Sequence, residues 1–318
     1  MREDPRQVGA APAHPALAAL ATALPADVHL GPSSWNYPGW AGLVYDRPHP
    51  EATLGARGAG VASAWPTVGL LGVDRSFHAP LPASAWAALA GAVRPGTRLL
   101  AKAPRVLTDP SPDPRDPSPN DRFLDGGWSA GHAAVPFRDG AGAAAGPLVF
   151  QLAPDARRGQ DPDAFLARLR RFLAAQPPGL LLAVELRDPA LLRPAYRTAL
   201  RDTGAVHCFS VQAPMPDLDA QWALAGEPDR PFVARWLLRP PLRYAEAVAA
   251  FSPFDALRAP DPANRRCLAR RIAAAHRAGQ PSFVSVANRA EGCAPLSIAG
   301  LAEATLAALG HRPAASAR

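Results

Sequence analysis

The chain is poor in cysteine and lysine and lacks any long uninterrupted apolar run. Cys208, Cys267 and Cys293 are odd in number and widely spaced, so the sequence predicts neither a disulfide framework nor a cysteine-ligated zinc site. No run approaches the ~20 residues of a membrane-spanning helix, and the first residues combine acidic side chains with no apolar signal core. These absences favour a cytoplasmic protein that does not enter a membrane.

Common catalytic and metal-binding motifs are absent as well. The sequence contains no GxSxG, HExxH, P-loop or GxGxxG pattern, which excludes the usual signatures of serine hydrolases, zinc proteases and nucleotide-binding proteins. His78 and His132 have no partner one helical turn away, and His207 begins an apolar run rather than ending one. Because a barrel metal site usually draws several histidines and carboxylates together, we expect no metal, and no cofactor is implied.

Positive charge is abundant instead. Arginine supplies all but one of the 34 basic residues, and the formal net charge is +7. A basic balance favours anionic partners but says nothing about the fold. Arginines cluster at 157–158, 168–171 and 265–271, where either solvated helix faces or a nucleic-acid surface would fit. Few aromatic residues lie within the clusters, which favours solvated faces.

Eight short apolar runs alternate with stretches of helical period. Runs of this length that are apolar on both sides are typical of strands buried in a parallel sheet. The stretches at 163–176 and 264–279 have the period of helices, and Gly279 is suited to end the second. The alternation predicts an α/β fold, a single (β/α)8 TIM-like barrel. The runs lie at 28–35, 67–74, 97–102, 147–151, 180–187, 205–210, 232–236 and 282–288.

The order of these runs divides the chain into one barrel and two flanking segments. We expect a leader at 1–27 with a short helix, the barrel at 28–310 and a tail at 311–318. Residues 109–146 follow the third strand and form a long loop without a repeated pattern. A loop of this length is either a partly ordered lid over the barrel or a floppy insertion. Four apolar residues are able to anchor it: Phe123, Leu124, Trp128 and Phe137.

Polar side chains end most of the apolar runs. Because active sites of such barrels lie at the carboxyl ends of the strands, these side chains converge on one mouth. Glu185 and Arg187 are two residues apart and therefore point to the same face. Either Arg187 binds an anionic group while Glu185 transfers a proton, or the two form an internal ion pair. Gln151 ends strand four, and Arg235 and Asn288 lie on strands seven and eight, where barrels often bind phosphate.

Lys102 is the single lysine of an arginine-rich chain, and it ends the third strand. Its compact ammonium group suits phosphate binding, a Schiff base, or the role of counter-ion to Asp74 or Glu185, of which the counter-ion is favoured. Asp74 directly follows the second strand. It is either a general base or the cap of the next helix.

Seven segments, taken together, resemble the YecE-like family, also called domain of unknown function 72. The resemblance runs in order through about residues 28–308. It implies a barrel related to the TIM fold and implies no established activity. The matching segments are GPSSWNYPGW (31–40), TVGLLGVDRSFHAPLP (67–82), LLAKAPRVLT (99–108), GPLVFQLAP (146–154), AVELRDP (183–189), VARWLL (233–238) and VANRAEGCAP (286–295).

The resemblance also implies which strand-end residues form the site. Four positions depart from the usual pattern: Pro32 replaces a threonine, His78 a tyrosine, Ala287 the first of two asparagines on strand eight, and Arg289 a lysine. The site residues that match the family are Ser33, Ser34, Trp35, Tyr37, Asp74, Lys102, Gln151, Glu185, Arg187 and Asn288.

These observations favour an enzyme that binds a small anionic ligand bearing a phosphate or a carboxylate at the mouth. In this hypothesis Glu185 is the acid/base, Asp74 is catalytic, and Lys102 and Arg187 stabilise developing negative charge in a metal-independent hydrolase or lyase. Trp35 and Tyr37 would shape the pocket. The alternatives are a non-catalytic nucleic-acid-binding protein and a structural or interaction barrel with a satisfied polar network. The oligomeric state is not predicted.

Overall fold

Eight parallel strands form one sheet that curls into a barrel. The computed structural model describes residues 7–12, 14–111, 118 and 120–311. Its strands are β1 (Val28–Pro32), β2 (Leu70–Val73), β3 (Arg98–Lys102), β4 (Ala145–Gln151), β5 (Leu182–Glu185), β6 (Val206–Val211), β7 (Phe232–Trp236) and β8 (Ser282–Val286). They are hydrogen-bonded in the order β1-β8-β7-β6-β5-β4-β3-β2. The predicted (β/α)8 TIM-like barrel is confirmed.

The barrel closes between its first two strands through a close backbone approach. The amide of Gly69 donates a hydrogen bond of 2.8 Å to the carbonyl oxygen of Leu30. At Gly31, a Cβ atom would lie 1.6 Å from the carbonyl oxygen of Leu70, so no larger residue fits there without displacing β2. The seam between β1 and β2 therefore depends on glycine.

The helices alternate with the strands as the sequence predicts. Pro15–Ala23 forms the expected short leading helix. The helix after β4 begins where the side chain of Asp161 accepts hydrogen bonds from the amides of Asp163 and Ala164. The helices are α1 (Pro15–Ala23), α2 (Glu51–Arg57), α3 (Ala59–Ala64), α4 (Arg75–His78), α5 (Ala83–Ala92), α6 (Arg105–Thr108), α7 (Gly126–Ser129), α8 (Val135–Ala141), α9 (Pro162–Ala174), α10 (Pro194–Thr203), α11 (Leu218–Ala225), α12 (Tyr244–Phe251), α13 (Pro262–Arg277) and α14 (Ala294–Leu309).

The end of α13 fits the predicted stop signal. Gly279 follows the helix with a φ of +70° and donates its amide hydrogen to the carbonyl of His276. This left-handed conformation strains any residue with a side chain, so glycine ends the helix here. Residues 1–6 of the expected leader and 312–318 of the expected tail lie outside the described residues.

The segment 109–146 is helical over much of its length. Residues 126–144 form consecutive turns, in which Ala130–Ala134 is a wider π-type turn between α7 and α8. Phe137 is completely buried and packs edge-on against Trp86 of α5, with ring centroids 4.7 Å apart. This half of the segment is therefore ordered, which agrees with the first of the two expected alternatives, although its Gly/Ala-rich sequence shows little apolar period. Residues 112–117 and 119, which the predicted lid includes, lie outside the described residues.

The barrel interior is divided into an apolar layer and a polar layer above it. Successive side chains of a strand point to opposite faces, so residues two apart share the interior. On six of the strands, the residue two positions after an apolar interior residue is polar. The apolar cluster is Leu70, Leu100, Val149, Ala183, Val206, Cys208, Val233 and Phe283. We call the polar layer above it the mouth layer: Lys102, Gln151, Glu185, Ser210, Arg235 and Ser285.

Within the part of the chain that the structure describes, no helix has both the length and the apolar character needed to cross a bilayer.

Candidate functional site

Glu185 forms the centre of the mouth layer and lies between two guanidinium groups. It ends β5 with no exposed surface. The Nε of Arg187 donates a hydrogen bond of 2.6 Å to Oε1, and Nη1 of Arg235 donates one to Oε2. Burial alone would raise the pKa of Glu185, but the positive charges of Arg187 and Arg235 outweigh it and hold the pKa at about 2. Glu185 is therefore a permanent carboxylate at neutral pH.

Two amide side chains extend this network. Gln151 ends β4 beside Glu185, and its Oε1 accepts a hydrogen bond of 2.9 Å from Nη1 of Arg235. Gln212 lies just after β6, and its Nε2 donates a hydrogen bond of 3.3 Å to Oε1 of Glu185. The structure thus joins Gln151, Glu185, Arg187 and Arg235, all predicted as site residues. Gln212 was missed, although its position two residues after Ser210 places it on the same face.

Lys102 lies on the β2 side of the mouth layer and pairs with Asp74. Its Nζ is 3.4 Å from Oδ1 of Asp74 and 3.9 Å from the centroid of the Phe77 ring. Lys102 is only 9% exposed, whereas the Asp74 side chain is 43% exposed and faces solvent. Burial, helped by the charge of Arg235, lowers the pKa of Lys102 to about 8 against the opposing carboxylates of Asp74 and Glu185. The predicted ion pair between Lys102 and Asp74 is confirmed.

Asp74 does not act as the side-chain cap that one interpretation of the sequence proposed. It occupies the position before α4, but its carboxylate accepts no hydrogen bond from an amide of that helix. The hydroxyl of Ser76 stabilises the turn instead, because its oxygen lies within hydrogen-bond distance, 2.8 Å, of the carbonyl oxygens of both Val73 and Lys102. The carboxylate of Asp74 is left to pair with Lys102.

The contacts of Ser33, Ser34 and Trp35 go to β8, to the loop after β1 and to α2. The amide of Ser33 donates to the carbonyl of Val286, and the hydroxyl of Ser34 donates to the side chain of Asn36. Trp35 is buried, and its Nε1 donates a hydrogen bond of 3.1 Å to the carbonyl of Leu54 in α2. These contacts fix the end of β1. They do not join the three residues to the Glu185 network within the described part of the chain.

Asn288 also holds the scaffold. Its Oδ1 accepts hydrogen bonds from Nε1 of Trp40, at 3.2 Å, and from the amide of Ala294, at 2.7 Å. The second bond satisfies the first amide of α14. The side chain of Cys293, the residue before this helix, makes no capping hydrogen bond. Ala287, which precedes Asn288, is completely buried.

Tyr37 stands at the rim with an arginine and a second tyrosine. Its ring packs against Trp40 and edge-on against Phe254, with centroids 5.2 and 5.6 Å away. Burial raises the pKa of Tyr37, and the charge of Arg289 partly offsets this. The guanidinium of Arg289 in turn lies 4.4 Å from the ring of Tyr244, which is 62% exposed. The predicted role of Tyr37 in shaping the pocket stays a prediction.

His207 is a neutral histidine of the outer core. It lies on the outward face of β6 and contacts the hydroxyl of Tyr196 at 2.9 Å and Oε1 of Gln221 at 3.2 Å. Burial lowers its pKa to about 4. Across the described residues, no group of three or more His, Cys, Asp or Glu side chains is arranged to hold a metal ion.

Most of the clustered arginines are bound by acidic partners. Arg270 and Arg271 both contact Asp219, Arg265 binds Glu291, and Arg170 binds Asp202. Arg157 pairs with Asp188 in the same way. These contacts compensate the positive charge locally.

Comparisons with known proteins identify the family to which this barrel is similar. The model for "Protein of unknown function DUF72" matches residues 29–317. A structure of a DUF72 family protein from Enterococcus faecalis V583 superposes with a TM-score of 0.56 at 13% identity, covering 89% of this chain and 95% of that one. A DUF72 family protein from Thermotoga maritima MSB8 gives a TM-score of 0.55 at 15% identity, covering 88% and 99%. No curated protein matches.

At these identities the two structures show the fold alone. The family model covers nearly the whole barrel, from β1 through α14. The chain therefore belongs to the DUF72 family of proteins of unknown function.

Proposed function

We propose that the mouth binds a small anionic ligand bearing a phosphate or a carboxylate, and that Lys102 transfers a proton to or from it. The observation that carries this proposal is the charge balance of the mouth. Among the described residues, three cationic side chains of the mouth, Lys102, Arg187 and Arg235, pair with two carboxylates, Asp74 and Glu185. The surplus positive charge lies largely out of water, where it attracts an anion more strongly than on an open surface.

Glu185 and the two arginines form the fixed part of the proposed site. Because its carboxylate stays ionised, Glu185 is a poor general acid, and we assign it to holding Arg187 and Arg235 in place. Arg187 uses Nε and Nη2 for this contact, and a guanidinium carries five N–H groups. Its side chain is 20% exposed, so the remaining N–H groups are available to a ligand. Arginine binds phosphate and carboxylate groups in this forked manner.

Lys102 is the best candidate for proton transfer. An acid–base group works best when its pKa lies near the working pH, and that of Lys102 is about 8. In a hydrolysis, Lys102 would give its proton to the leaving oxygen as a water molecule attacks the ligand and the bond to that oxygen breaks, and the neutral amine would then take up the proton that the attacking water loses. In an elimination, the proton that returns to the amine would come from the carbon next to the one that loses the oxygen. This assignment describes a hydrolase or a lyase.

A substrate screen with paired variants tests the proposal. Phosphomonoesters, phosphodiesters, sugar phosphates and glycosides would be assayed with the unmodified protein, Lys102→Met and Arg98→Met. We expect Lys102→Met to lower turnover by about 10²- to 10⁴-fold, the usual contribution of a general acid. Arg98 lies at the opposite end of the same strand, so its replacement should leave turnover within about twofold. Equal turnover of the two variants, or none with any substrate, would contradict the proposal.

Nucleic-acid binding is the second candidate, and the net charge of +7 is the observation that favours it. The ion pairs of the arginine clusters count against nucleic-acid binding and so favour the first proposal. Their acidic partners already neutralise positive charge that would otherwise bind phosphates. A salt titration separates the two: binding to nucleic-acid phosphates weakens steeply as salt rises. The cytoplasmic location, which either function would suit, stays a prediction.

A further inference from the structure

Three neighbouring residues of the mouth layer carry buried polar atoms that have no hydrogen-bond partner in the described part of the chain. Ser210, Arg235 and Ser285 are paired in register across β6, β7 and β8, so they form one row across three adjacent strands. We call them the serine–arginine row. Neighbouring strands are about 4.8 Å apart, which keeps the three side chains within reach of one small group.

All three side chains point into the barrel. Cys208, Val233 and Phe283, each two residues earlier on the same strands, belong to the apolar cluster of the interior. Ser210 and Arg235 are 1% and 4% exposed, and Ser285 has no exposed surface. The serine–arginine row therefore forms the floor of the mouth, directly above the apolar cluster.

Each residue of the row has an atom with an unmet hydrogen bond. Among the described residues, the hydroxyl oxygens of Ser210 and Ser285 and Nε of Arg235 have no hydrogen-bond partner. Buried polar groups almost always have one. Eleven buried side-chain atoms of the described residues lack one, and these three stand out because they lie side by side in register and face the barrel interior. They lie on the floor of the mouth, where the proposed ligand would reach deepest.

We propose that the serine–arginine row binds the anionic head of the ligand, a carboxylate or phosphate group whose oxygens accept hydrogen bonds from both hydroxyls and from Nε of Arg235. This inference rests on the proposed function and names the part of the ligand that reaches deepest. The reacting bond then lies above the row, on the side of Lys102 and Asp74.

The chemistry of the row selects an anion over a cation or an apolar group. Nε of Arg235 only donates, and both hydroxyls are able to donate. The nearest carboxylate, Glu185, already accepts hydrogen bonds at both oxygens from Arg187 and Arg235. An oxyanion would accept hydrogen bonds from all three donors of the row, whereas a cation would be repelled by the positive charge of Arg235.

A pair of serine variants on one strand tests this inference. Ser285 and Ser282 both lie on β8, both have no exposed surface, and both have a hydroxyl without a hydrogen-bond partner within the described ranges. Ser282 points to the outer face of the barrel, because it is an odd number of residues from Ser285. Ser285→Ala and Ser282→Ala therefore make the same chemical change inside and outside the mouth.

The measurement is the affinity for inorganic phosphate and for acetate, by calorimetry and by the anion-dependent shift in melting temperature. We expect Ser285→Ala and Ser210→Ala to weaken the better-bound anion by about tenfold, the effect of losing one hydrogen bond to a charged group. Ser282→Ala should stay within about twofold of the unmodified protein. The anion-dependent shift of each variant is compared, rather than its melting temperature. This removes any effect of the substitution on the stability of the protein without anion.

The outcomes separate the two proposals. If the unmodified protein binds an anion and Ser285→Ala binds it as tightly as Ser282→Ala does, the row holds only water. The serine–arginine row is then wrong as a binding site, while anion binding at the mouth stands. If the unmodified protein binds neither phosphate nor acetate, both proposals are wrong.

Discussion

The two layers of the barrel interior use the same strands for opposite purposes. On β3, β4 and β5, the lower layer has Leu100, Val149 and Ala183, which pack together out of water. Two residues further along, the same strands bear Lys102, Gln151 and Glu185. Burying charges is costly even when they are paired, so the upper layer stabilises the fold less than apolar residues of similar size would. The lower layer stabilises the fold by apolar packing, whereas we propose that the upper layer is kept for binding a ligand.

The largest expected effect comes from breaking the central ion pair. Glu185→Ala leaves Arg235 as a buried charge that has lost its carboxylate, and we expect the free energy of unfolding to fall by about 3–5 kcal/mol. Urea unfolding followed by circular dichroism measures it. Glu303 is exposed on α14, so Glu303→Ala should change stability by less than about 0.5 kcal/mol. A loss of under 1 kcal/mol for Glu185→Ala would show that the network is not needed for the fold.

A second pair of variants separates the layers on a single strand. Leu100→Ala creates a cavity in the apolar cluster and should lower the free energy of unfolding by about 2–5 kcal/mol. Its turnover, measured below the unfolding transition, should remain. Lys102→Met, two residues away, should keep the stability and lose the turnover. If both variants lost turnover equally, the division into a structural and a functional layer would be wrong.

The third prediction concerns the dependence of stability on pH. The pKa of Lys102 is about 8 in the folded chain, and we take the usual lysine value of 10.5 for the unfolded chain. Between these two pH values the unfolded chain therefore binds more protons than the folded chain. The contribution of Lys102 to stability therefore rises with pH in this range, by roughly 1 kcal/mol per pH unit. Urea unfolding of the unmodified protein and of Lys102→Met at pH 8 and 9.5 measures the difference. A difference that stays constant would show an unshifted lysine.

The smallest effect is expected at Gln212. Gln212→Ala removes one hydrogen bond to Glu185, which the two arginines still hold. Stability should fall by about 1 kcal/mol. Gln160 is an exposed glutamine, so Gln160→Ala is the control in the same urea titration. A loss above about 3 kcal/mol would mean that Gln212 belongs to the centre of the network.

The sequence predicted the strands and the polar layer at their carboxyl ends well, because both follow from local alternation. A polar residue two positions after an apolar interior residue must face the mouth, and this holds for Lys102, Gln151 and Glu185. The partner of Arg235 was not predictable in this way. Its contact with Glu185 depends on how strands 50 residues apart come together, which no local pattern records.

Other features of the structure were not predicted from the sequence, for different physical reasons. Ser34 and Trp35 follow a strand, but the turn after β1 directs their contacts to Asn36 and Leu54 rather than to the Glu185 network. The helical half of the segment 109–146 was missed because alanine and glycine give a helix no apolar face to detect.

The pKa of Lys102 tests the central claim most directly. Because Lys102 is the only lysine, protein labelled with ¹³C-lysine gives a single set of side-chain NMR signals to follow against pH. We predict a titration midpoint near 8, which shifts upward when phosphate binds because a nearby anion favours the ammonium form. A midpoint near 10.5 that phosphate does not move would contradict the assignment of Lys102 as the proton-transfer group.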